Sequence, residues 1–461
     1  MNKQSLLVFI CLSVAISSCK PSFDDPKYDG GTADFTSYVA LGNSLTAGYS
    51  DNALTVDGQV NSYPAMLAKQ FGLVDGNGIF KIPLVDNLNA VKGVTPAPIA
   101  GALFRTTPKL VLVVSPDCKG VASLTPQFFD SATTNNTGFL ASIKSEGPFN
   151  NLGVPGIKSF HLDNPEVANL SPTNQLFNPF YYRFASAPQS STILGDALLS
   201  DPTFFSLWLG NNDVLWYAIN GGENAVQPGM SQFDITPVDT FKNALQNAVV
   251  KLTATGAKGV IANIPDVTDI PFFITIPYNG LVLTTQAEVD ILNAAYPGLT
   301  VPFVLGANGF IVSETAGTFR RIIPGELICL STPRDSIKCA GWGSMVPIAD
   351  EYWLDATELS LIKIATTTFN SHIATLAGQH GLALVDFNAY FKSVKSHGTI
   401  YNGVTYTPEF IAGGAFSLDG IHLNKRGYAL IANQFVKAIN AKFGGTVPEV
   451  DANSYPGIIF P

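Results

Sequence analysis

The chain has 461 residues, with 26 Lys+Arg against 35 Asp+Glu, a formal net charge of −9, and 46% hydrophobic against 13% charged residues. That balance offers no basic patch for nucleic acid and is too apolar for a disordered protein. The length allows two or three domains, and no internal repeat or low-complexity tract divides it.

Lys3 precedes an apolar stretch, Leu6 to Ile16, that is too short to span a bilayer, and Ser17 and Ser18 then lead to Cys19. This resembles a bacterial lipoprotein signal, which implies removal of residues 1–18 and lipidation of Cys19, with membrane attachment through that anchor. Lys20 in place of an Asp favours onward transport to an outer membrane, facing either the periplasm or the outside. Residues 19–34 are polar and rich in Asp, Gly and Pro, as a flexible tether would be.

The folded domain is expected over 35–445, with 446–461 as a tail. Tyr38 to Leu41 is a short apolar run that suits a central strand, and Gly42 ends it two residues before Ser44. Tyr63 to Phe71 has helical spacing, and Lys109 to Ser115 is strand-like. Phe204 to Gly210 reads as a strand, Thr236 to Thr255 as a helix stopped by Gly256, and Lys258 to Ile264 as a strand. A long helix over Thr357–Ala377, a strand over Leu382–Phe387 and a helix over Asn424–Phe443 complete the alternation. Such alternation predicts an α/β fold with a mostly parallel sheet, whose sites lie at the carboxyl ends of its strands.

Two stretches break the pattern, near 116–150 and 266–350, and are read as insertions. The second holds Ile291 to Ser313 without a single charge. Such a run must be buried or must cover something apolar. One expectation is that it forms a wall beside Ser44 and selects longer acyl chains, with Phe303 and Phe310 as its bulk. The other is that it packs away from the site. Cys329 and Cys339 flank a turn-like segment and are expected to pair, leaving Cys118 as a buried thiol.

Three further segments carry chemistry: Asn150–Gly156 with its glycines and Pro155, Leu209–Asp213 at a strand end, and Ser417–Asn424 near the C-terminus. A serine hydroxyl needs an adjacent base, and His422 can supply one. Asp419, three residues earlier, can fix its tautomer. A developing oxyanion needs donors, which the Ser44 N–H, the Gly153 N–H and the Asn212 amide can provide. The other histidines, His161, His372, His380 and His397, read as surface or core. Neither HExxH nor GxSxG is present at the relevant places, which disfavours a metal hydrolase and an α/β-hydrolase.

The ordered set GxSL, NxGxxG, GxND and DxxH resembles the GDSL, or SGNH, hydrolase family. The resemblance runs from about Phe35 to Phe443, with most of 266–350 outside it. It implies a three-layer α/β/α flavodoxin-like fold with a five-stranded sheet, and metal-free, cofactor-free hydrolysis of a small-molecule ester. Ser44, His422 and Asp419 would form the triad, and Ser44, Gly153 and Asn212 the oxyanion hole. Asn43 departs from the family's Asp before the nucleophile, which removes one negative charge there. The substrate is left open between lipid-like carboxylic esters and acetylated glycans. A lipid-anchored binding protein that lost catalysis is the alternative of another class. Oligomeric state is not legible.

Overall fold

The computed structural model describes residues 27–74, 76–85, 93–99, 102–106, 108–129, 141–171, 174–222, 231–314 and 318–461. Cys19 and the expected signal and early tether therefore lie outside the described residues.

Five parallel strands form the central sheet: β1 (Tyr38–Gly42), β2 (Asn151–Gly153), β3 (Phe204–Trp208), β4 (Lys258–Ala262) and β5 (Ala383–Val385). Their spatial order is β5-β4-β3-β1-β2, so the order reverses between β1 and β3. That is the flavodoxin-like arrangement, and such a switch point opens a crevice at the carboxyl ends of the strands. β1 and β3 are buried along their whole length, as central strands covered on both faces must be. The flanking helices are α1 (Ser44–Ala47), α2 (Tyr63–Phe71), α3 (Asn211–Ile219), α4 (Val238–Thr253), α5 (Ala356–Gln379) and α6 (Lys425–Phe443). α2 packs on α6 and α4 on α5, giving helical cover to the sheet. Rings lock these layers. Tyr63 of α2 stacks on Phe435 of α6 at 4.7 Å, and Phe241 of α4 on Phe369 of α5 at 4.0 Å.

The segment read as a glycine turn supplies the edge strand β2. The strand-like Lys109–Ser115 run instead pairs antiparallel in a hairpin, Leu110–Pro116 with Ala122–Phe128, outside the central sheet. Its alternation of half-buried and exposed residues suits a ribbon with one wet face.

The expected Cys329–Cys339 disulfide does not form. Cys339 bonds Cys118, 221 residues away, and Cys329 is a fully buried free thiol. The bond ties the tip of the hairpin to the short helix Arg334–Cys339, and Lys338 pairs with Asp117 beside it. Sequence proximity favours the wrong partner, because Cys329 lies in the main apolar core, away from the surface hairpin.

Residues 266–350 build small cores of their own. Phe303 sits with Leu283, Val289, Leu292, Tyr296 and Ile311, and Phe310 with Val312, Ile322, Ile328, Ile348 and Trp353. At the other end of the chain, Thr446 and Asp29 exchange backbone and side-chain hydrogen bonds. Asn433 of α6 bonds the Val450 backbone in both directions, which docks the last residues on that helix.

Candidate active site

Ser44 stands where β1 ends. Asn43 leaves the strand in a non-helical conformation and its Oδ1 accepts the Leu45 N–H at 3.1 Å, capping the short helix α1. The Asn side chain thus keeps the oxygen a cap requires. Its Nδ2, buried and without an acceptor among the described residues, is where the departure from an Asp is felt.

His422 reaches Ser44 from the loop before α6. The His422 Nδ1–H donates to Asp419 Oδ2 at 2.9 Å, and since a carboxylate only accepts, Nε2 is free to accept the Ser44 Oγ–H, also at 2.9 Å. Asp419 is held by four further donors. Its Oδ1 takes Ser417 Oγ–H and the backbone N–H groups of Ile421 and His422, while Oδ2 takes the Asn52 N–H. Burial alone would raise its pKa; the His422 ring and these N–H donors outweigh that and hold the carboxyl far below the usual range.

The Asn52 contact was not legible in sequence. Asp51 and Asn52 both adopt left-handed backbone, φ 52 and 62, a conformation Asp and Asn tolerate best among non-glycine residues. The turn aims the Asn52 N–H at Asp419, while Asp51 Oδ1 accepts from Leu418 N–H. Tyr49, at the start of that turn, lays its ring 4.8 Å from the His422 ring.

Asn212 lies in the first turn of α3, after Gly210, whose φ of 116 makes the break from β3. One Nδ2 hydrogen goes to Ile157 O at 2.8 Å, which leaves the other available beside Ser44 in the same cavity. Gly153 is differently placed. Its N–H donates to Asn151 Oδ1 at 2.9 Å, and it lies under α1 without lining the cavity among the described residues. Any side chain there would meet the Ala47 nitrogen at 2.3 Å.

The cavity beside Ser44 and His422 has a volume of about 640 Å³. Its apolar walls come from Phe160, Phe177, Phe180, Leu215, Trp216 and Ile219. No residue of 266–350 lines it among the described residues, so the expected acyl wall is corrected: Phe303 and Phe310 are filled into their own clusters. The wall is built by the segment after β2 and by α3. His161, read from sequence as an ordinary histidine, is part of it. Among the described residues, no cluster of three or more His, Cys, Asp or Glu could hold a metal ion.

The family model for GDSL-like lipase/acylhydrolase matches residues 38–435, from β1 into α6. No protein of curated function matches the chain. Among solved structures, the chain is similar to LAE5, described as an alpha/beta hydrolase enzyme from the metagenome of Lake Arreo, Spain. The two are 12% identical over 88% of this chain and 96% of that one, with a TM-score of 0.35, too loose a superposition to inform fold or activity. The family match spans both β1 with Ser44 and the loop with His422, and on it the chain belongs to the GDSL-like lipase/acylhydrolase family and is a hydrolase acting on esters.

Proposed function

We propose that this protein is a serine esterase in which Ser44 attacks a carboxylic ester, His422 is the base and Asp419 its orienting acid. The observation that carries this is the continuous chain Ser44 Oγ to His422 Nε2 to Asp419 Oδ2, with both links at 2.9 Å. His422 takes the serine proton as Oγ bonds the carbonyl carbon, then gives it to the departing alcohol. Water, deprotonated by the same nitrogen, cleaves the acyl-serine. The oxyanion is assigned to the Ser44 N–H, which the first turn of a helix leaves without an intrahelical acceptor, and to the free Nδ2 hydrogen of Asn212. Gly153, its N–H committed to Asn151, is assigned to packing beneath Ser44.

The aromatic and aliphatic walls support an ester with an apolar acyl or alkyl part. The N-terminal sequence supports attachment to an outer membrane through lipidated Cys19. A fluorophosphonate should label Ser44 in the wild type, and Ser44→Ala should lose both labelling and p-nitrophenyl ester hydrolysis while staying folded. A wild type that resists labelling and hydrolyses no ester would leave the fold as that of a silent binding protein, whereas Ser44→Ala with wild-type turnover would place the nucleophile elsewhere.

A further inference from the structure

His161 lines the same cavity as Ser44 and His422 but takes no part in the chain of proton transfer. Its Nδ1 accepts the backbone N–H of Lys158 at 3.0 Å. A neutral imidazole that accepts at one nitrogen carries its proton on the other, so Nε2 is a donor. Burial, followed by the neighbouring Lys158 charge, pushes the pKa down to about 4, which keeps the ring neutral. Nε2 is nevertheless buried with no acceptor among the described residues. A donor shut away unpaired carries the full cost of its lost hydration, and such groups in folded chains call for an explanation.

The ring is held in place from several sides. Ser159 donates from both N–H and Oγ to the buried Asp213, at 2.9 and 2.6 Å. Lys158 Nζ donates to the carbonyls of Ser231 and Asp234, and the Phe160 ring meets the imidazole edge-on at 4.3 Å. Ser231, which also lines the cavity, has a buried Oγ without a partner among the described residues. Two polar atoms without a partner among the described residues, in the lining of one cavity, match a ligand that brings its own oxygen. A neutral ligand oxygen suits the site, because Lys158 Nζ is already taken up by the Ser231 and Asp234 carbonyls.

Resting on the esterase reading, we propose that His161 Nε2–H, seconded by Ser231 Oγ, binds a second oxygen of the substrate, an ether, hydroxyl or carbonyl beyond the scissile ester. The preferred substrates are then oxygenated esters and not plain alkyl ones, and His161 is a specificity residue.

The test compares p-nitrophenyl esters of an ω-methoxy acid and of the plain acid of equal chain length. A second arm uses methoxyalkyl and alkyl acetates, so that an oxygen on the acyl side is told from one on the alcohol side. Intrinsic reactivity cancels when the oxygenated-to-plain ratio of kcat/KM is compared between wild type and variant. His161→Phe, which keeps a ring, should lower that ratio about tenfold in one arm, the size of one lost hydrogen bond, mainly through KM. His161→Gln should keep part of the ratio and Ser231→Ala should lower it less, and these two decide the matter should His161→Phe not fold. An unchanged ratio in both arms, in variants whose Ser44 still labels with fluorophosphonate, would overturn the proposal and leave the esterase reading intact. Failure of the wild type to label would overturn both.

Discussion

Gly153→Ala separates a packing role from a donor role, because the substitution keeps the backbone N–H. Gly153 does not occupy left-handed backbone, so alanine has no conformational reason to be excluded. The obstacle is space. The new Cβ would lie 2.3 Å from the Ala47 nitrogen, 2.5 Å from the Thr46 carbonyl carbon and 2.8 Å from the Ala47 Cα. Carbon contacts settle near 3.5–4 Å, so α1 must retreat by roughly 1 Å. These are backbone atoms of a single short turn whose first residue is Ser44, and no flexible side chain can absorb the shift. Overpacking of that kind costs about 1–3 kcal/mol of stability. A reacting atom displaced by about that distance costs on the order of 10²-fold in rate. Urea unfolding should show the first effect, and kcat/KM on p-nitrophenyl butyrate, together with the rate of fluorophosphonate labelling, the second. A folded Gly153→Ala protein with wild-type kcat/KM would refute the close-approach argument.

Asn212→Ala should lower kcat by roughly 10²–10³ with little change in KM, as removal of one oxyanion donor does, whereas a pure KM effect would make Asn212 a substrate-binding residue. Asp51, driven up to about 6 chiefly by burial, holds a proton in the native state between roughly pH 4 and 6 that an unfolded Asp has released. Its contribution is therefore fully present below about pH 4 and is lost as pH rises through 6. Asp51→Asn keeps the acceptor for Leu418 N–H and removes this loss, so it should gain up to about 3 kcal/mol over wild type at pH 8 and little at pH 4, read by urea unfolding at both. An equal effect at the two pH values would contradict the assignment.

Local sequence was enough to place the strand ends and the residues just beyond them. Short apolar runs stopped by glycine and helical spacing are local signals, and Ser44, Asn212 and the Asp419–His422 pair are each placed by fewer than six residues of context. Their order along the chain then sufficed to name the family. Relations across hundreds of residues, by contrast, came only with the folded chain. Cys118 meets Cys339 because a hairpin tip reaches a short helix, a distance that spacing does not encode. The uncharged 291–313 run announced burial that holds only in part: Phe303 and Phe310 pack within the insertion, Ile291, Val301, Val304 and Leu305 stay exposed, and the cavity wall went to 155–180 and α3. The Asn52 clamp on Asp419 and the Nε2 donor of His161 are likewise invisible in sequence. The first depends on two left-handed residues meeting a loop 367 positions away, and the second on which imidazole nitrogen a neighbouring N–H happens to face. Periodicity reports that a side chain leaves water, while the partner it meets there is fixed by how the layers close.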